Sequence, residues 1–429
     1  MRTATLASND TLVGYVLKTK ARVDDLQTQV ATEKRSQTYA GIAADTPSLV
    51  ALEQKRAVID TFQRNNALLE ARLEATTLTV SQARDTVQDF RSELVSMGSG
   101  SPLDASAAQD LQEAAFRALK SLEASLNQDY NGRYLFSGSR TTTQPVSFGA
   151  DTLAEFQAVY DGKSVVYPPT RDAHVGLRAS FDQATTGGLT FTAGPPATIS
   201  AANPCFANLP VGATIEIKDS TTGNNGVFTV VAKNGGNDTI TVDGTLATPG
   251  TESFAVSNSV TAGTDSGATI STRCWYAGDE VTESQRVDAA RGFTLDLNAL
   301  DPAFEKAIRA IGIVAQGGLV DDPDRIDAAL QLVNDALDQG VGGSLPYGDE
   351  AAGSIDNVEM RISYHQTMLK DADETGSTLS ALFEERIAGL ENVDKTEAIA
   401  KLLDESNALE ASYQVLARVR QLNLTQYLT

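Results

Sequence analysis

Residues 59–97, IDTFQRNNALLEARLEATTLTVSQARDTVQDFRSELVSM, decide the fold. Ile59, Phe62, Asn66, Leu69, Leu73, Thr76, Val80, Ala83, Val87, Phe90, Leu94 and Met97 follow one another in unbroken steps of three and four. That spacing returns each side chain to one face of an α-helix, so the run predicts a long, coiled-coil-like helix.

Far along the chain, Ile355, Val358, Ile362, His365, Leu369, Ala372, Gly376, Leu379 and Phe383 repeat the pattern. A second stripe of the same period is a natural antiparallel partner for the first. Shorter stripes mark the two ends: Leu12, Val16, Thr19, Val23, Leu26 and Val30 in front, Ile399, Leu402, Ser406, Leu409, Tyr413 and Leu416 behind. Outside a globular core these faces would meet water, which favours self-association. The expected assembly interface is Leu12, Val16, Val23, Leu26, Val30, Leu402, Leu409, Tyr413, Leu416, Leu422, Leu424, Tyr427 and Leu428.

Between the arms, from about residue 138 to about 290, Gly, Thr, Pro and Val replace Ala, Leu, Glu and Arg. Within this block TIEIKD, GVFTVVAK, DTITVDG and SFAVS alternate apolar with polar residues, and TTGNNG and KNGGND supply turns, as in a small antiparallel sheet. The predicted fold is therefore mainly α with a β-rich insertion: an antiparallel, coiled-coil-like helical stem from both termini carrying an outward antiparallel β domain. Its expected divisions are terminal assembly helices at 1–40 with 390–429, a stem at 41–137 with 291–389, and a β-rich domain at 138–290.

The chain has 34 Lys plus Arg against 56 Asp plus Glu, a net charge of -22, which repels a phosphate backbone or an anionic membrane. Neither nucleic acid nor membrane is an expected partner. The N-terminus lacks the apolar core of a secretory signal peptide, and no run approaches the length of a membrane span.

Chemistry is sparse. The two histidines, His174 in the β region and His365 on the helical stripe, have no second His or Cys at metal-ligand spacing. The nucleophile-elbow, P-loop and zincin patterns are absent, and GSGSPLD at 98–104 reads as a break between helices. Gly235 to Ile240 shows one turn of a calcium-roll-like repeat and reads as a hairpin turn. The acidic runs DADET (371–375) and FEER (383–386) read as solvated helix faces. No catalytic residue, metal or cofactor is expected, and the protein reads as no enzyme. Cys205 and Cys274 bracket the strands. They form either a bridge, which in the loop-entropy model constrains the unfolded chain by roughly 4 kcal/mol, or two buried thiols.

NQDYNGRYLFSG at 127–138, followed by a Pro, resembles the corner at which flagellin-family proteins leave their helical stem, with Gly132 and Gly138 turning the chain and Tyr134, Leu135 and Phe136 anchoring it. WYAGD at 275–279 and RVDAARGFTLDLNALDPAFEKAIRAI at 286–311 resemble the return. VYDGK at 159–163 is a shorter echo, so the block at about 164–274 interrupts the family pattern. The ending, with its final Leu-x-x-Tyr-Leu, resembles hook-associated proteins of the hook-filament junction, and VATEKRSQTYAGIAADTPSLVALEQ resembles their front half, with Glu33 where that branch has Gly. The resemblance implies a secreted, extracellular structural subunit of the bacterial flagellum, an adaptor between hook and filament, exported through the type III apparatus and assembled by coupled folding of its ends. It implies as partners further copies of the chain, another hook-associated protein, flagellin subunits and an export chaperone. A filament flagellin and a secreted coiled-coil adhesin or effector are the alternatives.

Overall fold

The computed structural model describes residues 2–98, 103–175, 275–338 and 350–425 without a break, together with 346–348 and, between 189 and 272, the strands and most of their turns. Contacts divide the chain into two units, residues 1–66 with 370–429 and residues 67–369. This division falls inside the two longest stripes, whereas the sequence placed domain limits near 40 and 390.

The first stripe lies on one helix, α2 (Thr46–Gly98), and the second on α8 (Ile355–Glu391). In the unit formed by residues 67–369, Leu73, Val80, Ala83, Val87 and Leu94 are fully buried, as are Ile355 and Val358. Leu78, off the stripe on the same helix, is 61% exposed, so period and not hydrophobicity sets burial. Arg84 pairs with Asp356 and Glu359, and Gln366 donates to Thr77 at 3.2 Å. As one number falls the other rises, so the helices run antiparallel.

In the unit formed by 1–66 and 370–429 the two stripes also face each other. Gln63 donates to Ser377 at 2.9 Å, Arg56 pairs with Glu384 at 2.6 Å, and Gly376 lies against Ile59. One expected seam residue is displaced: Leu379 is exposed, and the stripe passes instead through Ser380, Phe383 and Ile387. A step of four from Gly376 lands on Ser380 and keeps the 3.6-residue period in phase, so a half-buried serine takes the place that the more apolar leucine was expected to fill. The remaining helices here are α1 (Arg2–Thr32) and α9 (Lys395–Thr425), which pack on each other.

The larger unit has a second helical layer. Helix α3 (Ala105–Leu126) starts at Asp104, whose side chain accepts from the Ala107 N–H, and turns Leu111, Ala115, Leu119, Leu122 and Leu126 inward. It packs on α6 (Pro302–Ala315), which has Asp301 as its cap, Pro at its first position, and every residue from Ala303 to Ala315 buried. A helix buried on all sides belongs at the centre. Helix α7 (Asp324–Leu337) covers α6 from another side, and the short helices α4 (Leu153–Val159) and α5 (Arg171–Val175) complete the layer.

The β-rich region begins with two-residue strands, β1 (Asp129–Tyr130) and β2 (Arg133–Tyr134). Between Leu189 and Thr272 an eight-stranded sheet forms from β3 (Leu189–Thr192), β4 (Ala197–Ala201), β5 (Thr214–Lys218), β6 (Gly226–Lys233), β7 (Thr239–Asp243), β8 (Gly250–Glu252), β9 (Phe254–Val256) and β10 (Ala268–Thr272). Its order is β8-β3-β4-β7-β6-β5-β10-β9. The outermost strands, β8 and β9, are separated by one residue of chain, which brings the two edges of the sheet near each other and curls it into a barrel-like form. Leu189, Phe191, Ile199, Ile215, Val230 and Ile240 fill its interior. The pairing of β9 with β10 is parallel, where the sequence predicted antiparallel strands only. A hairpin of β11 (Glu283–Arg286) and β12 (Gly292–Leu295) leads back to α6. The barrel thus occupies the block at 164–274 that interrupts the family pattern. Of the Gly235 to Ile240 segment, Gly235 to Asp238 lie in the β6–β7 turn, with Asn237 in the left-handed region, and Thr239 and Ile240 begin β7.

Candidate assembly surface and barrel root

On the terminal helices, the side chains that the sequence assigned to neighbouring subunits are in part used within the chain. Val16 and Val23 are buried, and Leu12, Leu26, Val30, Leu402, Leu409 and Leu416 are half-buried, in the unit where α1 packs on α9. Arg22 pairs with Glu405 at 3.1 Å across the two helices. Tyr413 stays 47% exposed. Open to solvent beside the seam are Tyr15 (63%) and Leu17 (61%) on α1 and Leu403 (59%) and Val415 on α9, none of which the stripe included. Leu422 and Leu424 lie in α9 with side chains outside the described residues, and Tyr427, Leu428 and the two cysteines, Cys205 and Cys274, lie outside the described residues altogether.

Where α1 ends, Glu33 adopts φ 58°, a left-handed conformation that favours Gly. The backbone makes the turn necessary: Val393 donates to the Glu33 carbonyl at 3.0 Å and Arg35 to that of Glu391 at 2.7 Å, stitching the α1–α2 turn to the α8–α9 turn. Lys395 pairs with the Glu33 carboxylate at 2.7 Å and, through that hydrogen bond, holds its pKa below the ordinary value. Glu33 thus holds a left-handed backbone while its side chain is engaged in an ion pair.

At the stem-to-β corner, Asn131 (φ 54°) and Gly132 (φ 74°) form the two-residue turn of the β1–β2 hairpin, the geometry that Asn-Gly supplies. Asp129 accepts from the Gly132 N–H at 2.9 Å. Leu135 and Phe136 are buried, Tyr134 is half-buried, and Phe136 meets Phe304 of α6 edge to face at 5.5 Å. Gly138 (φ 67°) sits so close to the Asp279 carbonyl that a Cβ would collide with it. Asp279 accepts from the Ser139 N–H at 2.7 Å, and its own N–H donates to the Ser137 carbonyl at 3.1 Å. Ser147 donates to the Trp275 carbonyl at 2.8 Å and Ala277 to that of Pro145 at 2.8 Å. The outgoing and returning motifs, read separately in the sequence, are hydrogen-bonded to each other.

Beneath this root lies a buried ionic cluster that sequence reading missed. Glu305, fully buried, accepts from His174 Nδ1 at 2.7 Å, from Arg309 Nε at 2.8 Å and from Arg171 at 3.2 Å. Arg309 also donates to the Pro169 carbonyl at 2.7 Å and pairs with Glu350, and Lys306 pairs with Asp335. Burial pushes the Glu305 carboxyl up, and the opposing hydrogen bond and positive neighbours outweigh it, bringing it down to about 2. Burial also pushes the His174 imidazole down, so it is neutral: Nδ1–H donates to Glu305, and Nε2 accepts from the Tyr167 hydroxyl at 2.9 Å. The available signal was three charged residues inside the apolar run AFEKAIRAIGIVA, charges that a wholly buried helix can hold only if each is paired. His365 stacks flat on Phe293 at 4.1 Å within the stem. Among the described residues no cluster of His, Cys, Asp and Glu is arranged to hold a metal ion.

The terminal helices pair within one unit, and the other unit combines a helical layer with the curled sheet. No family model and no curated protein matches the chain. Similar solved structures include a Vibrio parahaemolyticus protein described as flagellar hook-associated (12% identity, 82% of this chain and 100% of that one, TM-score 0.43). They also include the flagellar junction protein FlgL of Legionella pneumophila (15% identity, 77% and 99%, TM-score 0.27) and FlgL of Xanthomonas campestris (13% identity, 85% and 99%, TM-score 0.25).

Proposed function

We propose that the chain is an extracellular structural subunit of the bacterial flagellum that joins hook to filament, its terminal helices completing their burial against neighbouring subunits. One observation carries the reading: the paired ends expose Tyr15, Leu17, Leu403, Tyr413 and Val415, large apolar side chains that a lone acidic subunit has no reason to present to water. The juxtaposed corner motifs, read through the family resemblance, support the flagellar assignment. In the assembled tube each subunit would bury these side chains in a heterologous contact that repeats helically. Copies of the chain, a further hook-associated protein and flagellin are the partners of this reading, with a chaperone holding the ends during export.

Deleting the gene should leave hooks in place, release flagellin into the medium and abolish swimming. Removing residues 390–429 should leave the barrel folded and prevent incorporation. A truncated subunit that still joins the structure would overturn the role of the ends. Purified protein that grows alone into long filaments would make it a filament flagellin instead.

A further inference from the structure

Where the chain returns from the sheet to α6, the β11–β12 hairpin meets α8 through one imidazole. His365 of α8 lies flat on Phe293 of β12, with ring centroids 4.1 Å apart and planes 10° from parallel, and both residues are buried. We propose that His365 is an acid-sensitive latch, whose protonation frees the β11–β12 hairpin from α8. The latch lies outside the terminal helices and does not rest on the assembly role.

An added proton finds no acceptor here. Nδ1 of His365 is buried and has no hydrogen-bond partner among the described residues. His174 differs, since both of its nitrogens are bonded, to Glu305 and to Tyr167. Whichever nitrogen of His365 holds the proton of the neutral ring, the imidazolium holds one on each, so protonation creates a buried N–H with nothing to receive it.

The charged groups around the ring do not offset this. On α8 Arg361 stands one turn before His365, and its charge opposes a second cation. Just after β12, Asp296 favours one, but it already accepts from Arg361 at 2.8 Å, and Arg361 also holds Asp301. Between β11 and α2, Glu283 pairs with Arg72 at 3.0 Å and gives its other oxygen to Arg133 at 3.1 Å. At the hairpin turn Asp288 pairs with Arg291 at 2.6 Å. Each of these carboxylates already has a cation. Tyr364 is the other titratable neighbour, its ring 6.0 Å away. Burial pushes the imidazole below its ordinary value, with Arg361 acting alongside and Asp296 against. The face of a phenyl ring does attract a cation, but by less than it costs to desolvate an imidazolium left unpaired.

Undocking relieves the cost. The strands Glu283–Arg286 and Gly292–Leu295 are four residues each, too short to make a hairpin stable without the helix beneath it. Lifted from α8, the hairpin leaves His365 in water, where both N–H groups find acceptors. The docked form therefore binds fewer protons than the open one, so docking is complete above pH 6.5 and weakens as pH falls below it.

Hydrogen exchange on the full-length protein, corrected for the intrinsic rate, tests the latch. From about pH 7 to about pH 5.5, protection across residues 283–295 should fall by up to about 8-fold, the limit for one proton taken up by an ordinary imidazole in the open form. His365→Phe keeps a ring against Phe293 and has no proton to take up, so its hairpin protection should stay constant over the same range. NMR titration of the His365 ring in the wild type is an independent reading, with a midpoint expected below 6.5. Hairpin protection that falls in His365→Phe as it does in the wild type, or a ring that titrates at 6.5 or above, would overturn the proposal.

Discussion

Replacing Glu305 by Gln keeps the shape of the side chain and removes its charge from the centre of the barrel root. In the wild type the carboxylate accepts from His174, Arg309 and Arg171 with no exposed surface of its own. Two routes give the cost. Moving a carboxyl from its ordinary 4.5 to about 2 corresponds to about 3 kcal/mol of preference for the ionised, folded form. Removing one partner from a buried ion pair costs about 3–5 kcal/mol, because the cations left behind remain desolvated. Glu305→Gln should therefore lower the unfolding free energy of the larger unit by about 3–5 kcal/mol at neutral pH. The sign in pH follows from the direction of the shift: the folded carboxyl is depressed, so its contribution is complete above pH 4.5 and is lost as pH falls towards 2. Urea titrations followed by Trp275 emission suit the measurement, since Trp275 stacks on His174. A loss below about 0.5 kcal/mol, the range of an ordinary surface substitution, would mean that the cluster contributes no net ion pairing.

Three further outcomes are expected. Because burial depresses the His174 imidazole, its NMR titration should fall below the ordinary 6.5, costing stability as pH drops through that window; a midpoint at or above 6.5 would refute a neutral, Nδ1-protonated ring. Glu33→Gly should raise the melting midpoint of the terminal-helix unit, since Gly accepts the left-handed backbone that Glu33 is forced into, and a lower midpoint would show that the exposed Lys395 pair matters more. Leu73→Ala should cost about 2–5 kcal/mol and Leu78→Ala about 0.5 kcal/mol or less, although the two residues share a helix, and equal losses in chemical denaturation would contradict the seam.

The helical stem was legible because its information is local and periodic. Steps of three and four from Ile59 to Met97 and from Ile355 onward specify both helices and their inward faces, and only Leu379 departs, where the helical period passes to Ser380. The Asn131-Gly132 turn and the strands of the insertion were legible for the same reason, as turn chemistry and alternation are short-range. The order of the strands was not. It depends on β8 and β9 pairing with opposite ends of the sheet, and no alternation pattern says which strands meet.

The sequence by itself therefore determined which segments are helices, which are strands, which face of each is apolar, and where the corner lies. Tertiary structure decided what those faces touch. It turned Val16 and Val23 of the expected subunit interface into a seam between α1 and α9, drew Glu305, Arg309, His174 and Glu350 from three distant segments into one cluster, and laid His365 flat on Phe293 of a distant hairpin. Periodicity records the direction of a side chain relative to its own backbone, whereas a buried charge or a ring stack is a property of several segments at once and leaves no period to read.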